Sequence, residues 1–272
     1  MTDLSPRSCA PDWLHAAVAR ADEALARDRP RPPAGSAEPR PAAVLVLFGD
    51  GPHGPDVLLL ERSAGLRNHA SQPAFPGGGA DAGDASRVDT ALREAEEEVG
   101  LDPAGVEVLA TTTPLYLPAS RFTVTPVIGW WHTPCAVAPV DPAETAFVSR
   151  VPLAELAEPG NRFAVRYPPG LLAPAFRVHG MFVWGFTAGI LDVLLRLGGW
   201  ERPWRPVEVT DYPFRQRGAP APPAAAEADA GGRPVPSFAL TVDEGLADGS
   251  PAEPPSARLP PPTPRTGPPD AG

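Results

Sequence analysis

An α+β sandwich built on a mixed β-sheet is the fold class this sequence predicts, and two observations lead to it. Short aliphatic and β-branched runs alternate with strongly patterned helical stretches in the order strand, strand, helix, strands, helix. The 40 prolines of the 272 residues crowd toward the ends, which argues for one domain with extensions rather than two domains. Residues 1–41 are expected to hold a helix and a Pro-rich linker, 42–205 the domain, and 206–272 a disordered tail.

Taken in order, residues 13–26 follow Asp12 and place Trp13, Ala17, Val18, Ala21 and Leu25 on one side, as an amphipathic helix requires. Residues 29–41 read as the linker. Strands are predicted at 42–48 and 57–62, separated by a turn rich in Gly, Pro and Asp at 49–56. A helix begins near Ser86, which offers an N-cap, and Gly100 closes it as a C′ glycine. Its apolar positions Val88, Ala91, Leu92, Ala95 and Val99 recur at three and four, so that side is buried. Further strands are expected at 106–110, 121–131 and 146–151, with Pro126 marking a bulge or an edge. A short helix at 153–156 follows. Residues 184–197 form a helix that is apolar on most sides and supplies the second layer over the sheet. Beyond Arg215, apart from an island at 237–242, alternating Ala, Pro, Gly and acids cannot bury enough apolar surface to order the chain.

The net charge of −10, with no lysine anywhere, argues against nucleic acid as the main partner, although arginines can still grip a polyphosphate. The longest apolar run, 181–197, carries Thr187, Asp192 and Arg196 and falls short of a membrane span. No signal-peptide pattern opens the chain, and Cys9 and Cys135 lack metal-type spacing. A soluble protein in a reducing, cytoplasmic setting is expected.

Glu94, Glu97 and Glu98 stand at i, i+3 and i+4 on the central helix, so their carboxylates share a face beside the buried stripe. Glu-rich helices usually just present a solvated face. Here the frame matters: Phe75-Pro76-Gly77-Gly78-Gly79 precedes the helix, and a short acidic connection containing Asp84 joins the two. Three acids held in one place suit a hard divalent cation such as Mg²⁺ or Mn²⁺. A dinucleotide phosphate loop is rejected, because the glycine spacing is not G-x-G-x-x-G and the helix presents acids.

These residues resemble the Nudix box, the loop-helix-loop signature of hydrolases that cut a nucleoside diphosphate linked to another group. The match covers Gly78, Arg93-Glu94, Glu97-Glu98 and Gly100-Leu101. It departs at Asp84, which replaces a Glu and lies one residue farther from Arg93. Upstream, LLLERSAGLRNHASQPAFPGG resembles the motif of the coenzyme A pyrophosphatase branch, with Leu58, Leu59, Arg62, Ser63, Arg67, Phe75, Pro76, Gly77 and Gly78 in register. Leu60 stands where that motif has Thr, and Ser71 where it has Gly.

The resemblance implies an α/β/α sandwich over roughly 42–205 and metal-dependent hydrolysis of a diphosphate bridge. Such a bridge is inert in water because its anionic oxygens repel a nucleophile and its leaving phosphate needs neutralising charge. Glu94, Glu97, Glu98 and the Gly78 carbonyl are the expected metal ligands. Glu97 or Glu98 is the candidate general base. Arg93 joins the catalytic set as an orienting partner of Asp84 or Glu94. Arg62, Arg67 and Phe75 are candidate substrate contacts, the two arginines having a salt bridge to a box or loop acid, such as Asp81 or Asp84, as their alternative role. Glu144 is a candidate further acid, for which a solvated or capping role is the competing reading. His179, beside a glycine at a strand-to-helix corner, is taken as a hydrogen-bonded structural residue rather than a general base. Coenzyme A or acyl-CoA is the leading substrate, and a homodimer the candidate assembly. A Nudix enzyme for ADP-ribose, NADH or a dNTP, and a regulator that kept the fold without the chemistry, are the alternatives.

Overall fold

β1 (Arg40–Gly51) is the spine of the fold. Its alternation sends Val46 and Phe48 to one face and Ala43, Leu45 and Leu47 to the other. A tight hairpin returns the chain as β2 (Gly54–Arg62), where Val57 and Leu59 join the first set and Leu58 and Leu60 the second. The strands pair only near that hairpin, from Phe48↔Val57 to Gly51↔Gly54. Farther back they part company: β3 (Pro73–Ala74) lines β2, and β4 (Gly77–Gly79) lines β1. The glycine-rich connection is thereby threaded into the sheet. The computed structural model describes residues 8–26, 30–66, 69–118, 120–167, 170–206 and 208–212. The expected tail and Arg67 lie outside them, the tail's first residues excepted.

β5 (Val106–Thr111), β6 (Leu115–Leu117) and β7 (Phe122–Trp131) follow the central helix α2 (Arg87–Val99). β7 runs parallel to β1, whereas β5 and β6 pair antiparallel with β7. β8 (Thr145–Pro152) closes the far side of β2, giving a mixed eight-stranded sheet. Pro126, expected at an edge or bulge, lies instead inside β7. It falls between Thr125 and Val127, where the antiparallel neighbour changes from β6 to β5, so its missing N–H interrupts no ladder. The register shift itself is on β5, between Val108 and Ala110.

α2 covers one face of the sheet, Ala91, Ala95 and Val99 packing with Leu45, Leu47, Leu58, Leu60 and Trp131. The other face carries α1 (Asp12–Ala26), followed along the chain by α3 (Leu153–Ala157) and, after the second sheet described below, α4 (Gly185–Leu197). Leu14, Ala17, Ala21 and Leu25 of α1 share a core with Ile190, Leu194, Val46 and Phe48. The result is an α/β/α sandwich of mixed α+β class. α1, read as part of an extension, is tied into it: Trp13 meets Phe48 edge-on at 5.6 Å, and Asp22 accepts the backbone N–H of Thr113. β1 also begins within the stretch read as linker.

Residues 162–183, for which no strand bounds and no second sheet were expected, form a second sheet. β9 (Arg162–Tyr167), β10 (Leu171–Val178) and β11 (Met181–Val183) make antiparallel neighbours, and β12 (Val209–Asp211) adds to β9 in parallel. The missed signal is His179-Gly180, two residues with φ of 50° and 77° that form the tight turn between β10 and β11. His179 is thus at a hairpin rather than a strand-to-helix corner, where Nδ1 is 2.6 Å from Ser149 Oγ and Nε2 is 3.2 Å from Glu155. Among the described residues, no helix is long and apolar enough to cross a membrane.

Candidate active site

The site is assembled where β4, the acidic loop after it, and α2 meet. Ser86 caps α2 by accepting the Asp89 N–H at 3.2 Å, and Gly100, at φ 69°, ends it by donating to the carbonyls of Ala95 and Glu96. The stripe of Ala91, Ala95 and Val99 then fixes which way the opposite side points.

Arg93 is the hub. Its Nε and Nη2 donate to the two oxygens of Asp84 at 2.9 and 3.0 Å, a bidentate pair. Nη2 also reaches the Gly79 carbonyl at 3.1 Å, while Nη1 donates to Glu94 and Glu97, each at 3.0 Å. Asp84 receives two further bonds, from the Asp81 N–H and the Thr90 hydroxyl. Its pKa is held well below the usual carboxylate range, chiefly by the hydrogen bonds from Arg93. The short side chain at position 84 is therefore sufficient, because the loop brings it to the guanidinium.

Glu98 occupies a different environment. It is 8% exposed, accepts the Gly77 N–H at 2.9 Å, and lies 3.3 Å from Arg62 Nη1. Burial pushes its carboxyl up to about 7 against the lowering influence of Gly77 and Arg62, and the nearby charges of Glu94 and Glu144 add to the rise. Burial also raises Glu94. Glu97 is 58% exposed on its side chain.

The glycines are cut to this arrangement. A Cβ on Gly77, whose φ is 156°, would lie 2.3 Å from the Ala43 carbonyl oxygen, so β4 could not pair with β1. At Gly78 the same atom would fall 2.4 Å from a carboxylate oxygen of Glu94. The bare backbone at 78 thus admits the carboxylate.

A NUDIX domain model matches residues 38–168. The protein called "Uncharacterized Nudix hydrolase NudL" in Cronobacter sakazakii is 38% identical over 185 residues, which cover 62% of this chain and 89% of that one. The chain belongs to the Nudix hydrolase family. The Escherichia coli K12 protein of the same name is 38% identical over 174 residues, 58% of this chain and 83% of its own. Among solved structures, the Nudix hydrolase RenU from M. smegmatis is 27% identical and covers 43% of this chain and 73% of its own, with a TM-score of 0.37. Nudix hydrolases are pyrophosphohydrolases that act on phosphate anhydrides of nucleotide derivatives and generally need divalent metal ions.

In this Nudix chain the three box glutamates are divided between two arginines. Among the described residues, no group of three or more His, Cys, Asp or Glu side chains is gathered about a common point. Arg93 stands between Glu94 and Glu97, and Arg62 engages Glu98. The donor set nevertheless fits a hard divalent ion: every donor is oxygen, Glu94 is tucked against the Gly78 backbone, and the buried Glu98 carries charge that a cation would relieve.

Arg62, expected at substrate or paired with a box or loop acid such as Asp81 or Asp84, is paired with the box acid Glu98. Phe75, expected at substrate, is 2% exposed and packs in the core on the α4 side of the sheet, so it props the glycine strand from beneath. Glu144 is exposed and close enough to influence Glu98. The parts that sequence reasoning missed are backbone groups, the Gly77 N–H and the Gly79 carbonyl, together with Thr90. Thr90 carried a signal in its position, one turn past the N-cap on the buried side of an acidic loop.

Proposed function

We propose that this Nudix hydrolase cuts the diphosphate linkage of coenzyme A or acyl-CoA, releasing 3′,5′-ADP and 4′-phosphopantetheine or its acyl form. One observation carries the reading: the stretch 58–78 that resembles the coenzyme A pyrophosphatase motif leads through Arg62, 3.3 Å from Glu98, into the glycine strand. Mg²⁺ or Mn²⁺ as the cation, a cytoplasmic setting and a homodimeric assembly belong to the same proposal.

A divalent ion held by Glu94, Glu97, Glu98 and the Gly78 carbonyl would neutralise the diphosphate and make the attacking water more acidic. The chain's own residues divide the remaining work. Arg93 braces Asp84, the Gly79 carbonyl and two glutamates, so that helix and glycine strand keep their spacing. Arg62 and the Gly77 N–H orient Glu98 from the other side. The water oxygen bonds to phosphorus, its proton passes to a carboxylate oxygen of Glu97 or Glu98, and the bridging P–O bond breaks with its electrons on the departing phosphate.

Hydrolysis of another nucleoside diphosphate derivative is the second reading, and the departures at Leu60 and Ser71 are what favour it. Leu60, however, is fully buried in the core beneath α2, and Ser71 sits in a left-handed turn with φ 54°. Both departures fall on packing and backbone geometry, where a glycine is the easier residue at 71 and an aliphatic side chain suits 60. Coenzyme A is therefore preferred. Purified protein with Mg²⁺ or Mn²⁺ should convert coenzyme A to 3′,5′-ADP faster than it hydrolyses ADP-ribose, NADH or dATP, with products identified by mass. A clear preference for ADP-ribose would replace the first reading with the second.

A further inference from the structure

The second sheet has two apolar faces, and the described helices cover one of them. Side chains alternate along its strands, so Phe176 and Val178 of β10 point with Met181 and Val183 of β11 into the core shared with α4. On the opposite face Phe163, Val165 and Tyr167 of β9 lie beside Ala173 and Ala175 of β10 in a core of their own. Among the described residues, no residue of a helix belongs to that core. These five side chains are nevertheless no more than 2% exposed. One sheet layer cannot keep water off its own face, so a further layer has to lie over it.

The face has the relief of a trough. At one end Phe163 packs with Phe182 at 4.7 Å under the Arg177 guanidinium, and at the other Tyr167 packs with Tyr212 at 5.1 Å. Between these aromatic walls Val165 and Ala173 stand opposite each other, and Ala175 adds to the low floor. The buried Tyr167 hydroxyl has no hydrogen-bond partner among the described residues. An extended segment lying here would bring bulky side chains to a floor of small ones, and backbone N–H and C=O groups to that hydroxyl.

Where the chain leaves the described residues points to the occupant. β12 ends at Asp211, and Tyr212, the last described residue, lies against the Tyr167 ring at the rim of the trough. Residues 213–236 follow, and when extended they reach on the order of 80 Å. The four-stranded sheet is only roughly 15 Å wide. Beyond them stands the island Ser237-Phe238-Ala239-Leu240-Thr241-Val242, whose period-two alternation puts Phe238, Leu240 and Val242 on one side and small residues on the other. So tethered, the island is held near the face at an effective concentration on the order of 1 mM, so a second copy at micromolar concentration would have to bind about a thousand-fold more tightly to displace it. We propose that residues 237–242 dock in extended form across this trough, Phe238 and Leu240 resting on Val165 and Ala173, and form the outer layer of the second sheet.

The test is hydrogen exchange of full-length protein, read by mass spectrometry, for wild type, the Phe238→Asp/Leu240→Asp pair and Leu259→Asp as a control outside the island. In wild type the amides of 237–242 should exchange about 100-fold more slowly than in a free peptide of the same sequence. The pair should return them to the peptide rate and speed exchange in β9 and β10 while α2 stays unchanged, and Leu259→Asp should do neither. Wild-type amides at 237–242 that exchange at the peptide rate overturn the docking. Protection that the pair abolishes without any change in β9 or β10 places the segment elsewhere and overturns it too. Protection that grows with protein concentration, together with a dimer in sedimentation, gives the face to a second copy and likewise overturns the proposal.

Discussion

Two adjacent box carboxylates sit in different surroundings because one is covered and the other is not. Glu97 is 58% exposed on its side chain, whereas Glu98 sits behind Gly77 and Arg62 with little solvent, and its carboxyl is pushed up to about 7. In metal-free protein this shift has a definite sign. The folded state prefers Glu98 protonated, so the stability it contributes is fully present below the unfolded value of about 4.5 and is lost as pH rises through about 7. The melting temperature of wild type in EDTA should therefore carry a falling component over that window. Glu98→Gln should remove the component and melt higher than wild type above pH 7 while losing turnover. Equal pH profiles for the two would show that the buried charge is already compensated. Ser71 illustrates the same dependence on surroundings, since its departure from the glycine motif acquires meaning only from a φ of 54°.

Among the elements, β4 has the strictest requirements, and its adjacent glycines meet different neighbours. At Gly77 an added Cβ collides with backbone, the Ala43 carbonyl at 2.3 Å and Val44 Cα at 2.6 Å, and the φ of 156° disfavours any side chain. At Gly78 the nearest atoms it meets are those of the Glu94 carboxylate, the far end of a side chain that can swing away. Gly77→Ala should therefore destabilise the protein by more than about 2 kcal/mol, on the scale of a strained backbone plus lost ladder bonds. Gly78→Ala should leave the melting temperature nearly unchanged and still weaken Mn²⁺ binding, because it displaces Glu94. Thermal melts and metal titrations of the two variants side by side check this, and a Gly78→Ala protein with full metal affinity would remove Glu94 from the ligand set.

Across the molecule, a buried ion pair links the second sheet to the helix layer. Arg162 of β9 is 4% exposed and pairs with Asp192 of α4, its guanidinium lying over the rings of Phe176 and Trp204 at 5.1 and 4.4 Å. Burial lowers the arginine's pKa and raises that of Asp192, so neither charge is comfortable without the other. Asp192→Asn should cost about 3–5 kcal/mol, the loss expected when one partner of a buried pair is removed. Replacing both residues with apolar ones of similar volume should recover much of it. Chemical denaturation of the single and double variants measures the difference, and a single variant within about 0.5 kcal/mol of wild type would mean that solvent reaches Arg162.

Sequence by itself determined the class of fold, the family resemblance and the box helix from its Ser86 cap to Gly100, because each rests on local patterning within a few turns of chain. Periodicity says which side of α2 is buried, and therefore that Glu94, Glu97 and Glu98 lie off that stripe. It could not say what meets Glu98. That depended on Arg62, far away along the chain, and on backbone groups of β4 that come beside the helix only because β1 and β2 splay apart to admit the glycines. For the same reason Phe75 moved from expected substrate contact to buried prop, and His179 from a helix corner to a hairpin turn. The second sheet was missed because its local signal, the His179-Gly180 turn, was read as a corner before a helix, and because β12 joins β9 from more than 40 residues later. Partners at such separations are chosen by packing, and only the tertiary structure decides which charge meets which.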